Sequence, residues 1–310
     1  MKIAFMGTPD FAVPCLEYLI ASEHEVVGVF CQPDKPKGRT QELVMPITKK
    51  ISLENGIPVY QPVSLRNGAG VEILKEINPD LVIVVAYGKI LPEDFLEFPK
   101  YGCINIHGSI LPKYRGAAPI QWAVLSGDKE AGVTSMQMDA GLDTGDMLLM
   151  KKVEIGENET SEELFERLSY LGADVLKETI EALQKGELNP IKQNEAEATF
   201  VGLLSKENSP TDFSKSAQEV HNHIRGLYSW PCATTVLSGK ILKLHKSVLS
   251  DVKGNNIAGS VVCSDGRLIV CCGDNRCVEL LEIQLEGKKR MSAADFLRGR
   301  KIEKGTILGK

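Results

Sequence analysis

The run PDLVIVVAYG, residues 79–88, is the strongest constraint on how this chain can fold. It is apolar almost without a break, so it lacks the in–out alternation of a strand with one wet face. Its five central residues are too few for a core helix and are rich in Val and Ile, which favours a strand buried on both sides. Lys2–Met6, HEVVGVFCQ (24–32) and CINIHG (103–108) repeat the pattern, and IPVYQP (57–62) adds a shorter strand. Helical periods lie between them. GTPDFAVPCLEYLIASE places Phe11, Val13, Leu16, Leu19 and Ile20 on one face, and VEILKEI (71–77) is a second helix. Buried strands alternating with helices predict a doubly wound α/β domain with a parallel sheet covered on both faces.

The pattern continues with a short helix in APIQWAVLSGD, two strands in GVTSMQMD and GDMLLMKKVEI, and a long amphipathic helix over 160–186 opened by a Thr/Ser cap. After Gly186 the chain turns polar and Pro-bearing with no sustained period. Beyond it comes one helical stretch, SAQEVHNHIRGL, and then short strands divided by turns: CATTVLSG, KILKLHKSVL, AGSVVCSDG, RLIVCCGD and CVELLEIQ. Such spacing predicts a small β-barrel. With 310 residues, the expected organisation is a domain over 1–188, a linker over 189–206 and a second domain over 207–310.

Charge divides the same way. Residues 206–310 hold 17 Lys and Arg against 11 Asp and Glu, while residues 1–205 hold 19 against 30. A basic second domain suggests a polyanionic partner, although a solvated surface has the same composition. The N-terminus lacks the apolar core of a secretory signal, and no run approaches membrane-spanning length, so a cytoplasmic protein is expected. Eight cysteines without a C-x-x-C pair read as reduced thiols, and CCGDNRC has no second cluster to complete a zinc site. HNH at 221–223 puts two histidines on diverging helix positions, so no metal is expected there.

The first strand-to-helix turn excludes nicotinamide chemistry of the usual kind. A dinucleotide fingerprint needs G-x-G-x-x-G, but only Gly7 is present, and Pro9 and Asp10 follow it. No phosphate-binding P-loop occurs. The ligand of an open α/β sheet still lies beyond the carboxyl ends of its strands, where NIHGSILP falls. Asn105 and His107 are two residues apart and share one face of a strand. An amide donor beside a base that titrates near neutrality suits attack on a carbonyl without a covalent enzyme intermediate. A carboxylate commonly orients such a histidine. MDAGLDTGDM offers Asp139, Asp143 and Asp146, and turn chemistry alone does not choose among them.

INIHGSILPKYRGAAPIQWAV and MQMDAGLDTGDML, together with MGTPDFA, VVGVFCQPDKPKGR, QPVSLR, VVAYGKILP, SWP and KKRMSAADFL, closely resemble the 10-formyltetrahydrofolate-dependent formyltransferases that act on methionyl-tRNA. The resemblance covers nearly the whole chain. It implies a Rossmann-like formyltransferase domain, a linker and a C-terminal OB-like barrel. It implies 10-formyltetrahydrofolate as co-substrate, no metal, and initiator methionyl-tRNA as acceptor, with a monomer expected. Asn105, His107 and Asp143 match the family's catalytic set. Ser109, Ile110, Leu111 and Pro112 match its folate-binding signature, and Tyr87, Gly88 and Ile90 match another wall of the pterin pocket. Arg39, with Lys35 and Lys37, matches the loop that meets the acceptor end of the tRNA, but TQE follows Arg39 where a lysine pair is expected. Lys288, Lys289 and Arg290 are candidates for binding phosphates in the second domain, as are Arg225, Lys243 and Lys246. Two other readings share parts of the pattern: a sugar-nucleotide formyltransferase, and an RNA-binding protein with an inactive catalytic domain.

Overall fold

The computed structural model describes residues 1–37 and 42–309. The chain divides into two compact units. The first comprises Met1–Gly116, Gly132–Val153 and Phe165–Val201; the second comprises Ala117–Ala131, Glu154–Leu164 and Gly202–Lys310. The span 189–206, expected to be a linker, is therefore shared. Through Val201 it packs with the first unit, and from Gly202 with the second.

The first unit is built on seven strands: β1 (Lys2–Gly7), β2 (Glu25–Phe30), β3 (Val59–Tyr60), β4 (Leu81–Val85), β5 (Cys103–His107), β6 (Glu130–Gln137) and β7 (Met147–Glu154). Their order is β7-β6-β5-β4-β1-β2-β3. The five from β5 to β3 pair in parallel, as the unbroken apolar runs predict. β6 departs from that expectation and runs antiparallel to β5, with His107 opposite Thr134 and Asn105 opposite Met136. It enters the sheet beside the end of β5, so no crossover helix has to reverse the chain there.

Leu81–Val85 is buried throughout. One face of the sheet packs Ala4, Met6, Val82, Val84 and Cys103 with Phe30, Leu74 and Phe95. Full burial of one such large apolar side chain stabilises by about 1.5–3 kcal/mol. The long helix Ser161–Lys185 is opened by the expected cap, in which Thr160 and Glu163 bond each other's main-chain and side-chain groups.

The second unit carries β8 (Ala233–Leu237), β9 (Lys240–Ser250), β10 (Val261–Cys263), β11 (Leu268–Cys271) and β12 (Cys277–Leu285). They form an antiparallel sheet ordered β8-β9-β12-β11-β10 that curls into a half-barrel. Helix Ala217–Gly226, held at its start by a Ser216–Glu219 capping box, contributes Ala217, Val220 and Ile224 to a core with Leu242, Leu244, Leu280 and Ile283.

All eight cysteines are free thiols. Burial pushes Cys15, Cys103 and Cys272 up to about 12, which leaves them protonated and chemically quiet. Among the described residues, no three His, Cys, Asp or Glu side chains are placed to hold a metal ion. The HNH histidines serve hydrogen bonds instead. His221 meets Ser247 Oγ at 2.9 Å and the Glu157 carbonyl at 3.0 Å, and His223 meets the Ser209 carbonyl at 3.3 Å. No helix among the described residues is long and apolar enough to cross a membrane.

Candidate active site

Every residue of β5 is buried, yet the strand is polar at two of its three odd positions. Cys103 enters the core beside Phe95, whereas Asn105 and His107, further along the same face, keep 8 % and 7 % of their surface open. Alternation along the strand puts Ile104 and Ile106 on the other side, where Ile106 lies against Gly172 of the long helix.

The β6–β7 turn brings one carboxylate to both polar residues. Asp143 Oδ1 lies 3.4 Å from Asn105 Nδ2, and Oδ2 lies 3.7 Å from His107 Nδ1. The amide of Gly116 donates to Oδ2 at 2.8 Å. The structure also separates the three aspartates of this turn. Asp139 accepts from the Gly141 amide and the Thr144 hydroxyl and so builds the turn itself. The main chain of Asp146 accepts from the Gln137 amide. Gly145 lets the two arms of the turn close, because a Cβ there would stand 1.7 Å from the Gln137 carbonyl oxygen. Asp143 itself adopts φ 53°, in the left-handed region.

His107 is held at its other nitrogen. Nε2 lies 3.0 Å from the Tyr114 carbonyl, which only accepts, so Nε2 carries a proton and the neutral ring keeps its lone pair on Nδ1. The tautomer is therefore set by Tyr114. Asp143 stands within ion-pair range of Nδ1.

The loop after β5 is fastened from within. Ser109 Oγ donates to the Lys113 carbonyl, and Thr134 Oγ1 donates to the Ser109 carbonyl and receives the Leu111 amide. Ser109, Leu111 and Pro112 are buried, and only Ile110 of the four is partly open. Their side chains thus shape the loop. Tyr87 sits in the cluster with Phe30 and Phe95, Gly88 has open space around it, and Ile90 is 70 % exposed. The Tyr87 hydroxyl is buried without a hydrogen-bond partner among the described residues, and burial pushes it up to about 12. An unmet polar group at this segment fits a heterocyclic substrate rich in donors and acceptors.

The basic candidates fare unevenly. Lys35 is exposed on the short strand Lys35–Lys37, while Arg39 and the Lys37 side chain lie outside the described residues. Arg225 is not a surface cation. It is buried and donates to the Gly156 and Glu159 carbonyls and to Asn222, because an unpaired guanidinium could not be buried there. Arg290 is engaged by Glu282 and the Tyr228 hydroxyl, with its guanidinium over the Tyr228 ring. Lys246 pairs with Glu163 at 3.5 Å. Lys243, Lys288 and Lys289 are exposed.

Residues that sequence reasoning passed over complete the site. Arg115, inaccessible to solvent, donates to both oxygens of Glu195 at 2.9 and 2.7 Å and to Gln193 Oε1 at 3.0 Å. Its charge is favoured first by the Glu195 bonds, with Asp139 and Asp143 adding. Gln193 Nε2 donates to the Asp143 and Gly145 carbonyls, both at 2.8 Å. Arg115 falls within the run INIHGSILPKYRGAAP and could have been singled out there, but Gln193, Glu195 and Thr199 lie in a polar stretch with no periodic signal.

A doubly wound sheet that brings Asn105, His107 and Asp143 together at the carboxyl end of one strand has the make-up of a candidate site for chemistry on a carbonyl. The Formyl transferase family matches residues 1–180, and the Formyl transferase, C-terminal domain family matches residues 203–301. Methionyl-tRNA formyltransferase of Alkaliphilus oremlandii is 47 % identical over 310 residues, covering all of both chains, and that of Clostridioides difficile is 45 % identical over 311 residues with the same full coverage. The chain belongs to the methionyl-tRNA formyltransferase family. Solved structures share its fold at lower identity. The sugar 3N-formyl transferase WlaRD, solved with dTDP and 5-N-formyl-THF, has a TM-score of 0.70 at 22 % identity, covering 93 % of this chain and 99 % of its own. Methionyl-tRNA formyltransferase from Clostridium thermocellum has a TM-score of 0.57 at 19 % identity, covering 82 % and 95 %.

Proposed function

We propose that this chain transfers the formyl group of 10-formyltetrahydrofolate to the free amine of initiator methionyl-tRNA, in the cytoplasm. The observation that carries the chemistry is the placement of His107 between the Tyr114 carbonyl and Asp143. Nδ1 is the nitrogen free to take a proton from the attacking amine. Once it does, the ring is charged, and both N–H groups face acceptors, Tyr114 on one side and Asp143 on the other. Asn105 Nδ2 makes only a long contact with Asp143, which leaves it a donor for the formyl oxygen as that oxygen gains charge. Each such group accelerates a transfer by roughly 10²–10³ or more. His107 then returns its proton to the departing folate nitrogen. The Ser109–Pro112 loop and the Tyr87–Ile90 segment hold the folate, which supplies the formyl carbon. Arg39 with Lys35 and Lys37 serves the acceptor end, and the exposed Lys288 and Lys289 serve the tRNA backbone.

The test is formylation of purified Met-tRNA with 10-formyltetrahydrofolate, beside a UDP-amino-sugar acceptor. Formylmethionyl-tRNA as the product supports the reading. Formylation of the sugar alone would overturn it in favour of a sugar-nucleotide enzyme.

A further inference from the structure

We propose that Gln193 and Arg115 are positioning residues for Asp143, and that the strap Ile191–Val201 is part of the catalytic apparatus instead of a connector; this rests on the formyl-transfer reading above. The strap touches the site at three places. At its start, Ile191 and Met147 exchange main-chain hydrogen bonds of 2.8 Å, which fastens the far arm of the Asp143 turn. In the middle, the Gln193 side-chain amide binds the carbonyls on both sides of that turn, at Asp143 and Gly145. At its end, Phe200 and Val201 pair in parallel with Arg115 and Gly116. The Thr199 hydroxyl there receives the Tyr114 amide at 2.8 Å, and its carbonyl receives the Arg115 amide at 2.8 Å. One segment thus holds the main chain of Asp143, of Tyr114 that holds His107, and of Gly116 whose amide meets Asp143 Oδ2.

Arg115 ties the middle of the strap to its end. Its guanidinium binds Gln193 Oε1 and Glu195 together and lies over the Phe200 ring at 5.6 Å. With Oε1 held by Arg115, the amide orientation of Gln193 is fixed and its NH₂ group must point at the turn. Gly116 shows how close the fit is. It adopts φ +103°, and a Cβ there would stand 2.4 Å from the Val201 carbonyl oxygen. A carboxylate on a left-handed residue in a glycine turn has little rigidity of its own, so the site depends on these outside bonds for geometry.

The experiment compares Gln193→Met with the wild type, alone and in an Asp143→Asn background, by steady-state formylation of Met-tRNA and by hydrogen–deuterium exchange without substrates. Gln193→Met should lower kcat roughly 10- to 100-fold, leave both KM values within about twofold, and speed exchange at the Gly116 amide. Protection across Leu81–Val85 should persist, which separates local loosening from general unfolding. In the Asp143→Asn background the same substitution should change kcat by less than about threefold, because the residue it acts through is already disabled. Losses that multiply in that background, or unchanged Gly116 exchange, would overturn the proposal. Gln193→Glu retains the partner of Arg115 and replaces the donor with an oxygen facing two carbonyls. It should reproduce the kcat loss, and full activity there would equally overturn it. Absence of Met-tRNA formylation by the wild type itself would count against the formyl-transfer reading, while the exchange measurement would still decide whether Gln193 holds the Asp143 turn.

Discussion

The Tyr114 carbonyl accepts the Nε2 proton of His107 across 3.0 Å. That one bond leaves Nδ1 as the basic nitrogen and turns it toward Asp143, so the ring can take up a proton without rotating.

On the proposed mechanism Asn105 and His107 serve the same transition state, so removing either should be costly and removing both only slightly more so. His107→Ala and Asn105→Ala should each lower single-turnover formylation by roughly two orders of magnitude or more. The double variant should fall well short of the product of the two losses. A product-sized loss would mean that the two act in separate steps.

Gly116→Ala places a Cβ at φ +103° against the Val201 carbonyl. The strain should destabilise the first unit by about 1–3 kcal/mol, seen as a lower Tm, and should reduce turnover because the Gly116 amide moves from Asp143. A variant with a lower Tm but undiminished kcat would show that this amide has no catalytic consequence.

In the second unit, burial lowers the pKa of His221 and His223 below the ordinary histidine value. The folded state binds these protons less readily than the unfolded chain does. Their contribution to stability is therefore complete above about pH 6.5 and declines as pH falls below it. Carboxylates held low, such as Glu163 and Glu219, add their own loss only in more acidic solution, below about pH 4.5. Urea unfolding followed on the second unit should show weakening between about pH 6.5 and 5. His221→Gln should flatten that part of the curve.

The proposed tRNA surface should depend on the exposed lysines more than on Arg290, whose charge is already shared with Glu282. Replacing Lys288 and Lys289 with Gln should weaken tRNA binding and reduce the salt slope by about 0.7–0.9 for each phosphate no longer neutralised. The chemical step at saturating tRNA should survive. An unchanged salt slope in filter binding would remove this run from the interface.

Ser109 and Leu111 shape from inside the loop proposed to hold the folate. Leu111→Trp should distort it and raise the KM for 10-formyltetrahydrofolate more than that for Met-tRNA. Equal increases would place the donor elsewhere.

Much of this was legible in the chain. The run Leu81–Val85 announces a buried strand because burial on both faces removes the polar alternation, and Cys103–His107 announces another that is interrupted by Asn105 and His107. Asn105 and His107 share a face because a strand repeats every two residues. The Thr160 cap and the Ser216 box are equally local, as they need only side chains three residues apart. Other features came from tertiary structure alone. The turn supplies three aspartates of one chemical kind; the family resemblance points to Asp143, but only packing shows Asp139 building the turn and Asp143 reaching Asn105 and His107. The antiparallel entry of β6 depends on where its neighbour ends, and the protonated nitrogen of His107 depends on a carbonyl seven residues away. Gln193 reaches Asp143 across 50 residues of chain. No periodicity or composition encodes such an approach, because its energy appears only when the two segments meet.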